Sequence, residues 1–345
     1  MPHHDIDAVP GRPAAPAPEH GELVPYLHGQ AAEFLRALRR HREGSEATDP
    51  ELSTRSALDM RRAARRIGGA LHTFRPLTDR AWSDPLRGEL AWLSGTLARE
   101  HAHAEQLGRL LEGLQQLGEP GPVPAQGSPR NATSRNGASP APPSPPAPSR
   151  ETTLGIARAG ALLERQLTLA RTRAHSAALQ ALGSSRFHAV ADAVAVLASE
   201  APVAPDDPAP YAAHAAHRLT EAVAVLPLGR AARPYNAEAV HEGQDSPWHQ
   251  VRLLLRLHRY AQEVTGGDTT ALAEASRTLD RHRDAAEAAS AAAAAARTAR
   301  IAPATAYALG VLHSQQRHEV EAARFAFQRQ WRLAAGTPTR EAVSG

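Results

Sequence analysis

Residues 248–260 place basic side chains in a narrow stripe along a helix whose other faces are apolar. At 100° per residue, an arc of about 80° holds the whole stripe: His249, Arg252, Arg256 and Arg259. The rest of the circumference is mostly leucine, which predicts a helix inside a bundle. These groups cannot stay unpaired there, because an uncompensated buried charge costs roughly 3–5 kcal/mol. The stripe therefore requires either acidic partner side chains or a water-filled cavity that holds an anion.

Residues 58–66 repeat part of this pattern. When Leu58 is superposed on His249, two arginines coincide in each segment: Arg61 with Arg252 and Arg65 with Arg256. Two helices of one design, one in each half of the chain, indicate an internal duplication with pseudo-two-fold symmetry. The simpler alternative for the first segment is a row of surface arginines.

Apolar residues recur at helical spacing over most of the chain, and no segment is a credible strand, which predicts an all-α fold. The predicted helices cover approximately these ranges: 22–43, 53–74, 79–117, 154–182, 186–197, 209–226, 246–265, 270–300 and 303–333. Ser246 is predicted to be the N-cap of the striped helix, with Pro247 in its first turn. Residues 228–245 are predicted to be irregular.

Differences in composition divide the chain. Residues 1–21 and 336–345 are predicted to be disordered tails. Residues 119–150 are rich in Pro, Ser and Ala and cannot bury enough apolar area to offset their ordering entropy, which predicts a flexible linker. The linker separates a first-half helical bundle at 22–118 from residues 151–335, which hold the remaining helices and the second-half bundle.

The overall composition excludes several classes of protein. The chain has no lysine, so all 39 Lys and Arg positions are arginine, and the net charge is only +3. This balance argues against a general nucleic-acid binder, so an anion site must be local. The absence of cysteine excludes disulfides, thiolate metal sites and thiol nucleophiles.

Sequence signals for export, membrane insertion and catalysis are also missing. No apolar stretch resembles a signal peptide or a membrane span, which predicts a cytoplasmic protein. The sequence has no glycine-rich phosphate loop, no nucleophile elbow and no recognisable acid–base pair, which predicts that the protein is not an enzyme. Two histidine pairs lack a carboxylate cluster, so no metal site is predicted: His101 with His103, and His214 with His217.

The two basic segments together resemble the CHAD domain (conserved histidine α-helical domain). The second-half helix of that family is matched by His249, Arg252, Arg256, Arg259 and Tyr260. The first-half helix is matched by Arg61, Arg65, Arg66 and Phe74. Further similarity lies at residues 84–93, 182–187 and 308–312, so the resemblance covers about 22–335.

The resemblance implies two helical bundles, related by pseudo-two-fold symmetry, around a basic central cavity that binds inorganic polyphosphate without catalysis. The implied ligands of polyphosphate are Arg61, Arg65, Arg66, His249, Arg252, Arg256 and Arg259. No cofactor, metal or membrane is implied, and association with polyphosphate granules is an expectation. Binding is expected to strengthen below about pH 6.5, where a histidine becomes protonated.

The chain departs from the family pattern at three basic positions, which are occupied by Leu58, Gly68 and Leu253. An acidic stretch of the family is also replaced by residues 100–104. A second interpretation therefore stays open, in which the chain is a degenerate scaffold for protein–protein association that has lost its polyanion. The two interpretations differ in whether the stripe finds acidic partners, for which the candidates are Glu105, Glu164 and Asp284. RNA is a weaker candidate, because base stacking requires exposed aromatic residues and these are few.

Overall fold

The computed structural model describes residues 22–118, 149–232 and 244–336. The first predicted tail, all of the second except Gly336, and nearly all of the predicted 119–150 linker lie outside the described residues. The helices of the described part are, in chain order, α1 (Leu23–Glu46), α2 (Pro50–Thr73), α3 (Arg80–Gly118), α4 (Arg150–Leu182), α5 (Ser185–Leu197), α6 (Ala209–Ala224), α7 (Leu228–Ala231), α8 (Ser246–Val264), α9 (Thr270–Ala296) and α10 (Pro303–Gly336). A short 3-10 helix at Arg75–Leu77 joins α2 to α3.

The all-α prediction is confirmed. Across the three described ranges, the β-type pairing consists of an isolated antiparallel bridge between Thr78 and Val203. The α2 helix begins at Pro50, three residues before the predicted start, because the Asp49 carboxylate accepts hydrogen bonds from two backbone N–H groups of the first turn. Among the described helices, none carries an apolar stretch that could cross a bilayer.

The start of the striped helix, α8, differs from the prediction. Ser246 is the first helical residue, and Asp245 takes the N-cap position without capping the helix through its side chain. The Asp245 carboxylate instead accepts hydrogen bonds from Arg317 and Arg324 of α10, with N···O distances of 2.7 and 2.5 Å. The buried Asp245 therefore ties the N-terminus of α8 to the last helix.

In the described part of the chain, the core consists of three large apolar clusters and a small fourth one between α9 and α10. The first lies between α1, α2, α3 and α5, and it contains Phe34, Ile67, Phe74, Leu93 and Phe187. The second joins the later part of α3 to α4, α9 and α10. The third surrounds α8, where Trp248, Val251 and Leu255 are fully buried. Because α3 contributes to the first two clusters, it connects the two ends of the molecule.

The α2 and α8 helices cross at Gly69 and Tyr260. A methyl group on Gly69 would lie 2.5 Å from the Tyr260 Cδ2 atom, so only glycine permits this approach. The sequence alignment that superposes Leu58 on His249 also superposes Gly69 on Tyr260. Contact between equivalent positions is what a pseudo-two-fold axis would require, although the symmetry itself stays a prediction.

Candidate anion-binding cavity

A cavity of about 570 Å³ lies between α2, α3, α8 and α9, and we call it the central cavity. Six arginines line it. Two come from α2 (Arg61 and Arg65), one from α3 (Arg87), two from α8 (Arg252 and Arg256) and one from α9 (Arg283). His72 adds a further titratable group. Among the described lining residues, Asp84 is the acidic one. The cavity wall is therefore strongly basic.

Helical spacing explains why the arginines converge. On α2, Arg61 and Arg65 are four residues apart and share one face. The opposite face carries Met60 and Ile67, which are fully buried in the first core cluster. The α8 helix is built in the same way, with two arginines at the same spacing on one face and buried aliphatic residues on the other. Core packing of both helices thus turns both arginine pairs toward the same space.

Arginines that line the central cavity differ in their partners. The Arg252 Nε atom lies 2.6 Å from the Asp280 Oδ1 atom, and Arg283 pairs with Asp284 on its own helix. In the described part of the chain, no carboxylate lies within ion-pair distance of three others: Arg61, Arg65 and Arg256. The buried Nε atom of Arg61 also lacks any hydrogen-bond acceptor there.

The unpaired arginines repel one another. Burial lowers the pKa of Arg61 to about 10, and the positive charges of Arg65 and Arg283 add to that effect. Burial also lowers the pKa of Arg256 to about 10, with further contributions from Arg65 and Arg252. Both side chains still carry a full positive charge at neutral pH. A bound anion would relieve the repulsion and replace the lost hydration.

Two of the predicted ligands, Arg66 and Arg259, lie outside the central cavity. The Arg66 Nε atom is 2.8 Å from the Glu263 Oε2 atom, and the Arg259 Nε atom is 3.7 Å from Oε1 of the same carboxylate. The hydroxyl of Tyr26 donates a third contact to Glu263 at 2.9 Å. Both guanidinium groups also lie within 6 Å of the Tyr260 ring centre, at 5.6 and 5.2 Å. This cluster connects α1, α2 and α8.

His249 also lies outside the lining of the central cavity. Its ring packs edge-on against His282, with ring centres 5.6 Å apart. Burial, reinforced by the charges of Arg252 and Arg283, lowers the pKa of His249 below its usual range. Protonation of His249 therefore requires a lower pH than the sequence-based estimate of about 6.5.

The expected acidic partners of the stripe are not the ones that bind it. Asp284 pairs with Arg283, and Glu105 lies 3.8 Å from His101. Among the described residues, neither these two nor Glu164 forms an ion pair with the stripe. Its actual partners are Asp280 and Glu263.

Sequence reasoning missed Arg283. It lies on α9, a helix for which the sequence predicts no site residue. The signal that could have revealed it is the continuous run of charged residues and one histidine at 280–284, in a helix that is otherwise rich in alanine. Such a run on a buried helix needs a polar environment for the same reason as the stripe.

The substituted family positions differ in location. Gly68 and Leu253 line the central cavity, and the nearest atom to a methyl group on Gly68 would be Leu90 Cβ at 4.0 Å. Leu253 is 40% exposed. Leu58 instead lines a separate hollow beside His41 and His175. Only the first two substitutions therefore remove charge from the cavity itself.

A family model and two solved structures match the chain. The family model described as CHAD domain matches residues 29–275. Among solved structures, PptA from Streptomyces chartreusis is 53% identical, with a TM-score of 0.73, and the match covers 91% of this chain and 99% of that one. The crystal structure of the CHAD domain from the plant Ricinus communis is 20% identical, with a TM-score of 0.47 and coverage of 93% and 98%. No curated protein matches the chain significantly.

Proposed function

The chain belongs to the CHAD domain family, and from that premise we propose that its central cavity binds inorganic polyphosphate without transforming it. The observation that carries this proposal is the convergence of three arginines without carboxylate partners in the described part of the chain: Arg61, Arg65 and Arg256. Asp280 offsets part of the charge of Arg61 and Arg256 without reaching ion-pair distance, so a bound anion would stabilise these cations further.

The chemistry of guanidinium suits this ligand. Each arginine presents a planar fork that donates two charge-assisted hydrogen bonds to phosphate oxygens. The buried Nε of Arg61, which has no acceptor among the described residues, would gain one from a phosphate. Arginines four residues apart on a helix are separated by about 6 Å along its axis, so the members of the α2 and α8 pairs can contact different phosphates of one chain.

We assign different roles to the seven residues that the sequence singled out. Direct contacts come from the cavity-lining arginines of α2 and α8, namely Arg61, Arg65, Arg252 and Arg256. Arg66 and Arg259 act through Glu263 and Tyr260 by holding the two helices together. His249 adds positive charge beside the cavity only at acidic pH.

We expect no turnover of the ligand, and the acidic group of the lining supports this part of the proposal. The one described carboxylate there, Asp84, accepts hydrogen bonds from Arg75 at 2.9 and 2.7 Å and lies 3.4 Å from Arg87. The hydrogen bonds from Arg75 lower the pKa of Asp84, so it is a poor base. Within the described residues, no three His, Asp or Glu side chains are placed to hold a metal ion.

The scaffold alternative is favoured by a specific observation. Arg252 and Arg259 both have carboxylate partners, as arginines with a purely structural role do. A scaffold that had lost its ligand would show no salt-dependent affinity for polyphosphate. A functional cavity would show affinity that falls steeply with salt, because bound polyanions release counterions.

Alanine variants on neighbouring positions of α2 test the proposal. Arg61→Ala removes a cavity-lining arginine, and Arg62→Ala removes an exposed one that pairs with Asp59. Hydrogen bonds to charged groups contribute about 1.5–3 kcal/mol, so we expect Arg61→Ala to weaken polyphosphate binding by roughly 10- to 100-fold. The Arg62→Ala control should change it by less than about twofold. Equal effects of the two substitutions would contradict a specific cavity.

The proposal extends to location. A protein with this affinity is expected in the cytoplasm, where the cavity arginines would bind it to polyphosphate granules. A fluorescent fusion of the full chain should colocalise with granules, and the Arg61→Ala variant should spread through the cell. Granule association that persists in this variant would assign targeting to another part of the chain.

A further inference from the structure

A second, smaller hollow adjoins the central cavity. Its volume is about 250 Å³, and we call it the α6 hollow because Tyr211, His214 and Arg218 of α6 form one wall. His72 and Leu257 line both the α6 hollow and the central cavity, so the two spaces are neighbours. An extended ligand in the central cavity could continue into the α6 hollow past His72.

The α6 hollow is basic. His214 and Arg218 are four residues apart on α6 and therefore share one exposed face. Arg75 lines the same hollow, which contains no acidic residue among its described lining residues. In the described part of the chain, no carboxylate lies within ion-pair distance of Arg218.

His72 lies where these charges meet. The Arg87 Nη1 atom is 3.4 Å from the His72 Nδ1 atom. Burial, followed by the charges of Arg87, Arg218 and Arg75, lowers the pKa of His72. Asp84 offsets part of this charge through its bonds to Arg75 and Arg87, but it does not reach Arg218.

The opposite end of the central cavity leads to a space whose lining contains carboxylates. A hollow of about 600 Å³ shares Arg61 and Arg283 with it, and we call this space the acidic hollow. Four carboxylates line the acidic hollow: Glu105, Glu112, Asp284 and Glu287. Four arginines also line it, namely Arg99 and Arg109 in addition to the two shared ones, so the carboxylates balance their charge and this space attracts a polyanion less than the α6 hollow does. The α6 hollow has no carboxylate among its described lining residues.

We propose that a long polyphosphate chain leaves the central cavity past His72 and continues over His214 and Arg218 on α6, so that this surface favours long chains. The inference rests on the proposed function, because it extends the same bound anion. A short oligophosphate fills only the central cavity, and its affinity is independent of α6. A long chain gains additional contacts on α6 and binds more tightly for that reason.

Binding of two probes to the full chain tests this inference: tripolyphosphate and long-chain polyphosphate. The test variant is His214→Ala/Arg218→Ala, and the matched control is Arg109→Ala in the acidic hollow. Because exposed ion contacts contribute up to about 1 kcal/mol, we expect the test variant to weaken long-chain binding about fivefold. Its tripolyphosphate affinity should be unchanged, and the control should leave both affinities unchanged.

Other outcomes overturn the inference in distinguishable ways. Unchanged long-chain affinity in the test variant, or an equal loss for both probes, would show that α6 does not contact the chain beyond the cavity. A loss of long-chain affinity in Arg109→Ala but not in the test variant would place the exit at the acidic hollow. If the unaltered protein bound neither probe, the proposed function would fail, and this inference with it.

Discussion

Gly69 of α2 lies against the ring of Tyr260 of α8, with no room for a methyl group between them. Tyr260 is only 2% exposed and also contacts the guanidinium groups of Arg66 and Arg259. The crossing of α2 and α8 is therefore fixed by shape and by the Glu263 ion pairs. Because the arginine pairs of both helices lie close to the crossing, this contact determines how closely they face each other.

The first prediction concerns this crossing. In Gly69→Ala, the new methyl group would overlap the buried Tyr260 ring, so the helices must separate. We expect the free energy of unfolding to fall by about 1–3 kcal/mol, as for other overpacked cores, and polyphosphate affinity to fall with it. Urea unfolding measures the first effect.

The matched control is Gly29→Ala on α1, where nothing lies within 4 Å of the new methyl group. Replacing glycine by alanine in a helix stabilises it by roughly 0.5–1 kcal/mol, so the control should be slightly more stable than the unaltered protein. Equal stabilisation in both variants would show that the crossing is looser than described.

The second prediction concerns the energetic cost of the binding site. Arg256 is partly buried and has no carboxylate partner among the described residues, so its charge destabilises the unliganded fold. We expect Arg256→Met to raise the free energy of unfolding by about 1 kcal/mol and to reduce the stabilisation that added polyphosphate gives. Thermal unfolding with and without polyphosphate measures both effects.

Arg252→Met is the natural comparison, because Arg252 lies one turn earlier on α8 and pairs with Asp280. Its substitution leaves a carboxylate without its partner, so no increase in stability is expected. If Arg256→Met were instead the less stable of the two, the charge of Arg256 would be compensated within the fold, and the cost assigned to it would be wrong.

The third prediction is a gain of affinity. Gly68 and Leu253 line the central cavity at positions where the family carries basic residues, and there is open space beside Gly68. We expect Gly68→Arg and Leu253→Arg each to strengthen polyphosphate binding by about 5- to 10-fold, with a steeper dependence on salt. The Leu58→Arg control adds the same charge in a separate hollow and should have little effect.

A titration of polyphosphate into each variant at several salt concentrations checks this prediction. An affinity increase in Leu58→Arg equal to that in Gly68→Arg would indicate that net charge alone matters. No increase at any of the three positions would contradict the placement of the anion in the central cavity.

The fourth prediction concerns pH. His282 is 1% exposed, stacks on Trp248 and accepts a hydrogen bond at its Nε2 atom from the Arg324 Nε atom at 3.1 Å. Burial, together with the nearby charge of Arg324, lowers the pKa of His282 to about 3. Because the folded-state pKa lies below the unfolded value of about 6.5, this histidine contributes its full stability above pH 6.5.

As pH falls from 6.5 toward 3, that contribution should decline by up to about 1.4 kcal/mol per pH unit. His282→Gln keeps an acceptor for Arg324 but cannot titrate, so its stability should depend less on pH over this interval. Denaturant unfolding at pH 7, 6 and 5 compares the two proteins. Parallel pH profiles would mean that His282 is not held in its neutral form.

The sequence predicted the helices better than their contacts. Helical periodicity shows which residues share a face, and it correctly grouped Arg252 with Arg256. The Arg259–Glu263 ion pair could also have been predicted from helical periodicity, because the two residues are four positions apart. By contrast, Arg66 meets Glu263 across 197 positions, a contact set by the Gly69 crossing and not by local spacing.

The central cavity illustrates the same limit. Its walls come from four helices that are distant in sequence, so the contribution of Arg283 depends on how α9 packs against α8 and α3. The sequence predicts that the stripe requires either carboxylate partners or a bound anion. In the structure, different members of the stripe meet this condition differently. Arg252 has a carboxylate partner, whereas Arg256 lines the cavity and has none in the described part of the chain.

The most direct test of the central claim is the affinity of the purified full chain for long-chain polyphosphate across a salt series, with single-stranded RNA as a competitor. We predict submicromolar binding at low salt that weakens steeply as salt increases and that RNA does not displace. Absence of binding at low salt would contradict the account and favour a scaffold that has lost its ligand.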